Sequence, residues 1–244
     1  MITKDIKLAV LIDGDNIPSK YIKEMIEEIA KYGTPTIKRI YGDWTKPQLG
    51  KWKTILLENA ITPIQQYSYT TGKNATDSAM IIDAMDILYS NNVNGFCLAS
   101  SDSDFTRLAT RLRESGMQVY GIGEKKTPDP FIVACDKFIY LEILEPFSES
   151  HDEKGVESKK SNLEKITPKV IKFLKQAVSD VADDDGWAFL GDVGSLILKK
   201  QPNFDSRNFG FEKLTPLFKS LPQFEIDQRV QSGVRFKLIY VRNK

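Results

Sequence analysis

The chain has 244 residues, enough for two modest domains or one large one. Its contents of 41% hydrophobic and 27% charged residues are ordinary for a globular protein. Because the net charge is only +1, any anionic partner must be held by local patches of positive charge. Two cysteines are too few for a disulfide framework or a cysteine zinc site. The single histidine, His151, lies in a polar stretch, which excludes histidine general-base and Ser-His or Cys-His nucleophile chemistry.

Strands and helices alternate over the first 144 residues. Apolar or alternating runs predict strands at 7–12, 36–41, 61–66, 96–99, 118–122 and 138–144. Between them, helical spacing predicts helices around 22–29, 49–59, 77–89, 104–115 and 128–134. The helix over 77–89 is apolar on most of its circumference, so we expect it to be buried. This order predicts an α/β fold, a doubly wound parallel sheet with helices on both faces.

Two of these strands run into acidic loops. Asp13 and Asp15 follow the first strand, and Asp102 and Asp104 follow the strand at 96–99. In an open parallel sheet, functional groups collect outside the carboxyl ends of the strands, so the two loops can converge in one pocket. Clustered carboxylates repel one another unless a hard cation with oxygen ligands holds them together. The pattern predicts a Mg²⁺ or Mn²⁺ site that performs phosphate chemistry.

The composition changes after this region. Residues 145–165 are polar, of mixed charge and aperiodic, which is typical of a flexible linker. Beyond them, helices are predicted at 167–181, 192–200 and 206–221, followed by a hairpin of strands at 224–227 and 234–241. Three helices and a hairpin in this space predict a small winged-helix α+β domain. We therefore divide the chain into a domain over 1–145, a linker over 146–166 and a second domain over 167–244.

Three motifs of the first domain resemble those of the NYN domain, in the LabA-like branch of the PIN-like nuclease superfamily. They are Ile12-Asp-Gly-Asp-Asn16, Lys73-Asn-Ala-Thr-Asp77 and Ser100-Ser-Asp-Ser-Asp-Phe105. The second domain, with Gly186-Trp187 and Pro202-Asn-Phe-Asp205, resembles the OST-HTH or LOTUS domain, an RNA-binding module. The first resemblance implies a metal-dependent endoribonuclease of PIN-like fold, and the second implies RNA as a partner.

The resemblance also implies roles for individual residues. The acids matching the NYN motifs are the expected catalytic residues and ligands of Mg²⁺ or Mn²⁺: Asp13, Asp77, Asp102 and Asp104. Polar residues around them are expected in supporting positions: Asn16, Asp15, Asp83, Ser101 and Ser103. Ser101 stands where the family more often has glycine. Asp83, inside an apolar helix, either orients a metal ligand or binds a donor in the core.

Basic and aromatic residues are candidates for RNA contact. Phosphate contacts are predicted for Lys73, Lys125, Lys126, Lys46, Lys199, Lys200 and Arg207. Trp44 and Trp52 stand among lysines and could stack bases, but we favour a place in the core. We also expect the aromatic residues of the second domain to be core residues: Trp187, Phe189, Phe204, Phe209 and Phe211.

Two other functions stay open. The chain could be an RNA-binding or regulatory adaptor with a weak or inactive site, although an adaptor has no need to keep four repelling carboxylates. It could also be a haloacid-dehalogenase-like phosphatase, because Asp13-Gly-Asp15 resembles that family's nucleophile and acid, but its threonine and its cap insertion have no counterpart here. We expect a cytoplasmic protein without a signal peptide or membrane segment, and a homodimer is left open.

Overall fold

The structure is a computed structural model, and it describes residues 6–45, 52–67, 75–144, 163–230 and 237–244. The chain divides into two compact units, Met1–Phe147 and Ser148–Lys244. Each unit is described by itself. The predicted linker lies outside the described residues, apart from its last four positions, 163–166.

The first unit is built on six parallel strands. They are β1 (Lys7–Asp13), β2 (Thr34–Gly42), β3 (Thr62–Gln65), β4 (Gly95–Ala99), β5 (Gln118–Gly123) and β6 (Lys137–Tyr140). Their order in the sheet is β3-β2-β1-β4-β5-β6. The chain therefore moves outward from β1 in one direction and outward from β4 in the other. The crevice for ligands in such a sheet lies outside the carboxyl ends of these two central strands.

Among the described residues of this unit, five helices cover the two faces of the sheet. They are α1 (Ile22–Ile29), α2 (Trp52–Glu58), α3 (Ala75–Ser90), α4 (Thr106–Glu114) and α5 (Asp129–Ala134). Alternate residues of the central strands enter two hydrophobic cores, one with α3, α4 and α5 and the other with α1 and α2. Because both faces of β1 and β4 are covered, their sequences read as continuous apolar runs. The predicted doubly wound α/β fold is confirmed.

The prediction that the long helix is buried is only partly right. Met80 and Ala84 of α3 are fully buried against the sheet. On the opposite side, Ile82 is 63% exposed and Tyr89 is 71% exposed. A helix that packs against one face of a sheet buries one stripe, and apolar composition alone does not say how wide that stripe is.

The described residues of the second unit form three helices and three strands. The helices are α6 (Pro168–Val181), α7 (Leu190–Lys200) and α8 (Leu214–Ser220), and the strands are β7 (Ala188–Phe189), β8 (Phe224–Val230) and β9 (Lys237–Asn243). The antiparallel sheet has the order β7-β9-β8, as expected for a small winged-helix domain. The turn of the hairpin, residues 231–236, lies outside the described residues.

The predicted helix over 206–221 is wrong as a single element. A short 3₁₀ turn, Ser206–Phe209, comes first and ends at Gly210, whose φ of +83° is left-handed. A residue in this conformation terminates a helix, and glycine adopts it without steric cost. The chain becomes helical again only at Leu214.

Candidate metal centre

Four aspartates from three separate segments come together at the carboxyl ends of β1 and β4. Asp13 is the last residue of β1, Asp102 and Asp104 lie in the loop after β4, and Asp77 lies in the first turn of α3. The two loops are adjacent because β1 and β4 pair in parallel, with Ile12 opposite Ala99. Within the described part of the chain, Asp77, Asp102 and Asp104 offer carboxylate oxygens that all lie within 4.8 Å of one another.

Asp13 belongs to this group of aspartates but is not one of the three whose oxygens lie within 4.8 Å of one another. It is 1% exposed, and donors engage both of its oxygens. The backbone N–H of Asp15 donates to Oδ1 at 3.1 Å, and the Asn16 amide and the Ser100 hydroxyl donate to Oδ2 at 2.5 and 2.8 Å. These hydrogen bonds favour the ionised form of Asp13, but the effect of burial is larger and raises its pKa.

The pKa of Asp77 reports the crowding of negative charge. It is raised to about 6, first by burial and then by repulsion from Asp13, Asp102, Asp104 and Asp15. Each neighbouring carboxylate makes ionisation of Asp77 harder, and a cation among them would reverse that effect. The atoms that could coordinate a metal ion here are all carboxylate oxygens, the ligand type that Mg²⁺ and Mn²⁺ prefer. These residues therefore fit a hard divalent ion.

The loop after β4 is shaped by its own hydrogen bonds. Ser100 Oγ accepts the backbone N–H of Asp102 at 3.1 Å, and Asp102 Oδ1 accepts the N–H of Asp104 at 2.9 Å. Asp102 thus caps the short 3₁₀ turn Ser103–Phe105. Ser101 Oγ instead accepts the N–H of Glu124 at 2.9 Å, which holds the loop after β5. Ser103 is exposed on the same turn.

Ser100 and Thr76 are supporting residues that sequence reasoning missed. Ser100 is fully buried and joins Asp13 to the Asp102 loop. Thr76 Oγ1 lies 3.2 Å from Asp15 Oδ2 and connects the start of α3 to the first acidic loop. The parallel pairing of Ile12 with Ala99 places the next residue, Ser100, opposite Asp13, and this register is a property of the structure that the sequence does not give.

Asp83 has the second of its two expected roles. Its carboxylate forms an ion pair with Arg39 and accepts a hydrogen bond from the Tyr41 hydroxyl. Burial and this carboxylate both raise the pKa of Tyr41. Asp83 therefore joins α3 to β2, and the expectation that it orients a metal ligand is not supported.

Most of the basic candidates for RNA contact are paired with acids or lie outside the described residues. Lys46 and Lys73 belong to undescribed segments. Lys126 forms an ion pair with Glu124 at 2.5 Å, and the backbone N–H of Lys125 donates to Glu142. In the second unit, Lys200 pairs with Asp180 and Arg207 pairs with Asp205 through two nitrogens, whereas Lys199 is exposed near the end of α7.

The tryptophans divide between the core and the surface. Trp52 is buried in the core beside α1, and Trp44 packs against that core and donates its indole N–H to Ile64 O at 2.9 Å, as favoured. In the second unit Phe204 is a core residue, whereas Trp187 and Phe189 are only half-buried. The core prediction for Trp187 and Phe189 is therefore wrong, because both side chains lie on the solvent side of the small sheet.

Within the described ranges, no helix combines the length and the apolar character needed to cross a bilayer.

Comparisons with known proteins identify both units. Residues 7–142 match the family profile of the NYN domain, and residues 161–235 match that of the OST-HTH/LOTUS domain. A search of curated proteins found no match.

Two solved structures resemble parts of the chain. A protein of unknown function, VPA0982 from Vibrio parahaemolyticus, is 19% identical, with a TM-score of 0.48, and the alignment covers 57% of this chain and 94% of that one. An uncharacterized protein from gene locus NE0665 of Nitrosomonas europaea is 37% identical, with a TM-score of 0.30, over 34% of this chain and 77% of that one.

The NYN profile spans more than half of the chain, its three acidic motifs meet at one site, and the second unit has the helices and sheet of a winged-helix domain. NYN domains are nuclease-like and OST-HTH/LOTUS domains bind RNA. The chain belongs to the NYN domain family and carries an OST-HTH/LOTUS domain after its NYN domain.

Proposed function

We propose that this protein is a metal-dependent endoribonuclease that hydrolyses RNA phosphodiesters, and that its second unit holds the RNA. The observation that carries the proposal is the convergence of Asp77, Asp102 and Asp104 within 4.8 Å, above the buried Asp13. A cluster of this kind is unfavourable in the absence of a cation, as the raised pKa of Asp77 indicates. A function that uses a cation gives the cluster a physical reason to exist.

The proposed ligands of Mg²⁺ or Mn²⁺ are Asp77, Asp102 and Asp104, with Asp13 as the fourth carboxylate of the set. When bound, such an ion supplies a water of lowered pKa and positive charge beside the scissile phosphate. Ser100 and Asn16 hold Asp13, and the capped turn at Asp102 sets the direction of the loop. Asp15 and Thr76 fix the start of α3, and therefore the position of Asp77.

The two other functions differ from this one in what they require of the site. A haloacid-dehalogenase-like phosphatase needs an accessible nucleophile, but Asp13 is 1% exposed and three donors hold its oxygens. An RNA-binding adaptor needs no cation at all. The cytoplasm stays our predicted compartment, and a homodimer stays open.

The test is cleavage of an end-labelled single-stranded RNA by wild type and by Asp102→Asn. Asparagine can still cap the turn, so this variant removes charge while it keeps the loop. Because replacing even an outer partner of a metal ligand costs about 10–100-fold in affinity or activity, we expect a loss of cleavage of roughly 100-fold or more.

Asp86→Asn is the matched control, since Asp86 is exposed on α3. We expect this variant to cleave the RNA like wild type. Chelator should stop cleavage by wild type, and added Mn²⁺ should restore it. Equal cleavage by wild type and Asp102→Asn, after removal of contaminating nuclease, would reject the proposal. RNA binding without any metal-dependent cleavage would favour the adaptor.

A further inference from the structure

One side of the small sheet in the second unit carries aromatic rings and arginines together. Alternate residues of its strands enter the core, among them Ala188 and Val241. The residues between them lie on the opposite side, since successive side chains of a strand alternate between faces. Four of these half-buried residues, together with Trp187 immediately before β7, form what we call the aromatic–arginine face: Trp187, Phe189, Arg229, Tyr240 and Arg242.

The rings and the guanidinium groups of this face are in contact. The Arg242 guanidinium lies 4.6 Å from the centre of the Trp187 ring, and the Arg229 guanidinium lies 4.2 Å from the centre of the Tyr240 ring. Arg229 also lies over Trp187 at 5.3 Å, and the rings of Phe189 and Tyr240 are 5.8 Å apart. These contacts connect the five side chains into one cluster of planar groups.

Each arginine is held in place by a carboxylate on the same sheet. Arg242 donates to Glu225 Oε2 at 2.6 Å, directly across the β8–β9 pair, and Arg229 donates to Asp227 Oδ2 at 2.9 Å. These two ion pairs leave the face close to electrical neutrality. They also fix the guanidinium planes, so less freedom is lost when a ligand binds.

We infer that the aromatic–arginine face binds unpaired bases of single-stranded RNA by stacking. This inference deepens the RNA-binding part of the proposed function and rests on it. Bases of single-stranded nucleic acid stack on aromatic rings and on guanidinium planes, and this face offers both. A neutral face adds little phosphate attraction, so it would recognise bases while basic residues elsewhere contact the backbone.

A protein partner is the less favourable occupant. An ordinary protein interface would have to cover two ion pairs, Glu225–Arg242 and Asp227–Arg229, and removing such pairs from water costs free energy. A stacked base leaves the carboxylates at its edge in water. The face is therefore better suited to planar bases that stack one at a time than to the continuous apolar surface of a protein partner.

The experiment compares two ligands and uses the full chain in chelator, which prevents cleavage. One ligand is a fluorescent single-stranded RNA, and the other is an abasic oligonucleotide of equal length that keeps the phosphates. The double variant Trp187→Ala/Tyr240→Ala should bind the RNA more weakly by roughly 5- to 150-fold for each stacked base that is lost. Wild type should bind the abasic ligand more weakly than the RNA, and the double variant should bind the abasic ligand like wild type.

Three further variants keep the result interpretable. Trp187→Phe/Tyr240→Phe retains the rings and should restore binding. Arg242→Lys keeps the charge opposite Glu225 but loses the planar group, and it should show a smaller loss with the fold intact. Tyr89→Ala removes an exposed tyrosine of the NYN domain and should bind like wild type. Circular dichroism melting checks that each variant is folded.

The inference is overturned if wild type binds no single-stranded RNA, if it binds the abasic ligand as tightly as the RNA, or if the alanine double variant binds RNA like wild type. The last result would leave the face to a protein partner. Equal binding of single-stranded DNA would keep the stacking and widen the ligand to unpaired bases in general. Metal-dependent cleavage, measured separately on the same preparations, tests the proposed function, so the two can fail independently.

Discussion

Ser100 Oγ lies 2.8 Å from Asp13 Oδ2, although 87 positions separate the two residues along the chain. Both are buried, and the same hydroxyl accepts the backbone N–H of Asp102. One serine therefore connects the carboxylate that ends β1 to the loop that follows β4. The acidic site depends on this connection as well as on its acids.

Replacing Ser100 with alanine removes a donor from a buried carboxylate and an acceptor from a backbone N–H. We expect the free energy of unfolding to fall by about 1–3 kcal/mol, and cleavage to fall because the Asp102 loop loses its anchor. Urea unfolding measures the first effect. Ser103→Ala, at an exposed position of the same turn, should stay within about 0.5 kcal/mol of wild type. An equal loss in both variants would contradict the role of Ser100.

Asp77 should destabilise the metal-free protein at neutral pH. Its pKa is about 6 in the folded state against an ordinary value of 3.8, so the folded state binds more protons than the unfolded chain between these values. This contribution to stability is therefore lost as pH rises from about 4 to 6. After allowance for solvent screening, the ionised carboxylate costs the folded state about 1 kcal/mol at pH 7.

In chelator at pH 7, Asp77→Asn should consequently melt about 2–4 °C above wild type, and the difference should vanish near pH 4. Mn²⁺ should raise the melting temperature of wild type more than that of the variant. Calorimetry across this pH range measures both effects. A variant that melts below wild type in chelator at pH 7 would show that repulsion does not dominate at Asp77.

Asp83→Asn should destabilise the fold without impairing the chemistry. The substitution weakens the charge-assisted bonds to Arg39 and Tyr41, which we expect to lower the free energy of unfolding by about 1.5–3 kcal/mol. Cleavage under conditions where the variant stays folded should equal that of wild type. Asp86→Asn, on the exposed side of the same helix, should change neither quantity. A loss of cleavage with unchanged stability would instead place Asp83 in the site.

Gly123→Ala should disturb the site from β5. A Cβ at this position would lie 2.5 Å from the backbone oxygen of Ser100 and 2.7 Å from Thr127 Oγ1, so the end of β4 would have to move. We expect a loss of stability of about 1–3 kcal/mol and reduced cleavage. Gln118→Ala, exposed at the other end of the same strand, is the control. Unchanged cleavage by a folded Gly123→Ala variant would show that the loop tolerates the shift.

The fold of the first unit followed from local signals. The run from Leu8 to Ile12 is buried on both sides, and such runs are recognisable without knowledge of their neighbours. The prediction of one helix over 206–221 is wrong because apolar spacing continues on both sides of Gly210 and does not show where the helix is interrupted. The left-handed φ of Gly210 separates the two segments.

The sequence by itself determined the alternation of strands and helices, because strands and their ends are recognisable from local pattern. In a parallel sheet, this alternation also predicts the edge where Asp13 and Asp102 meet. Only the tertiary structure decided that Asp83 pairs with Arg39, that Ser100 donates to Asp13, and that the half-buried Trp187 lies beside Arg242. The physical reason is that a side chain's partner depends on register and on which face another element covers. Both are properties of contacts between distant segments, and neither is encoded in the spacing of neighbouring residues.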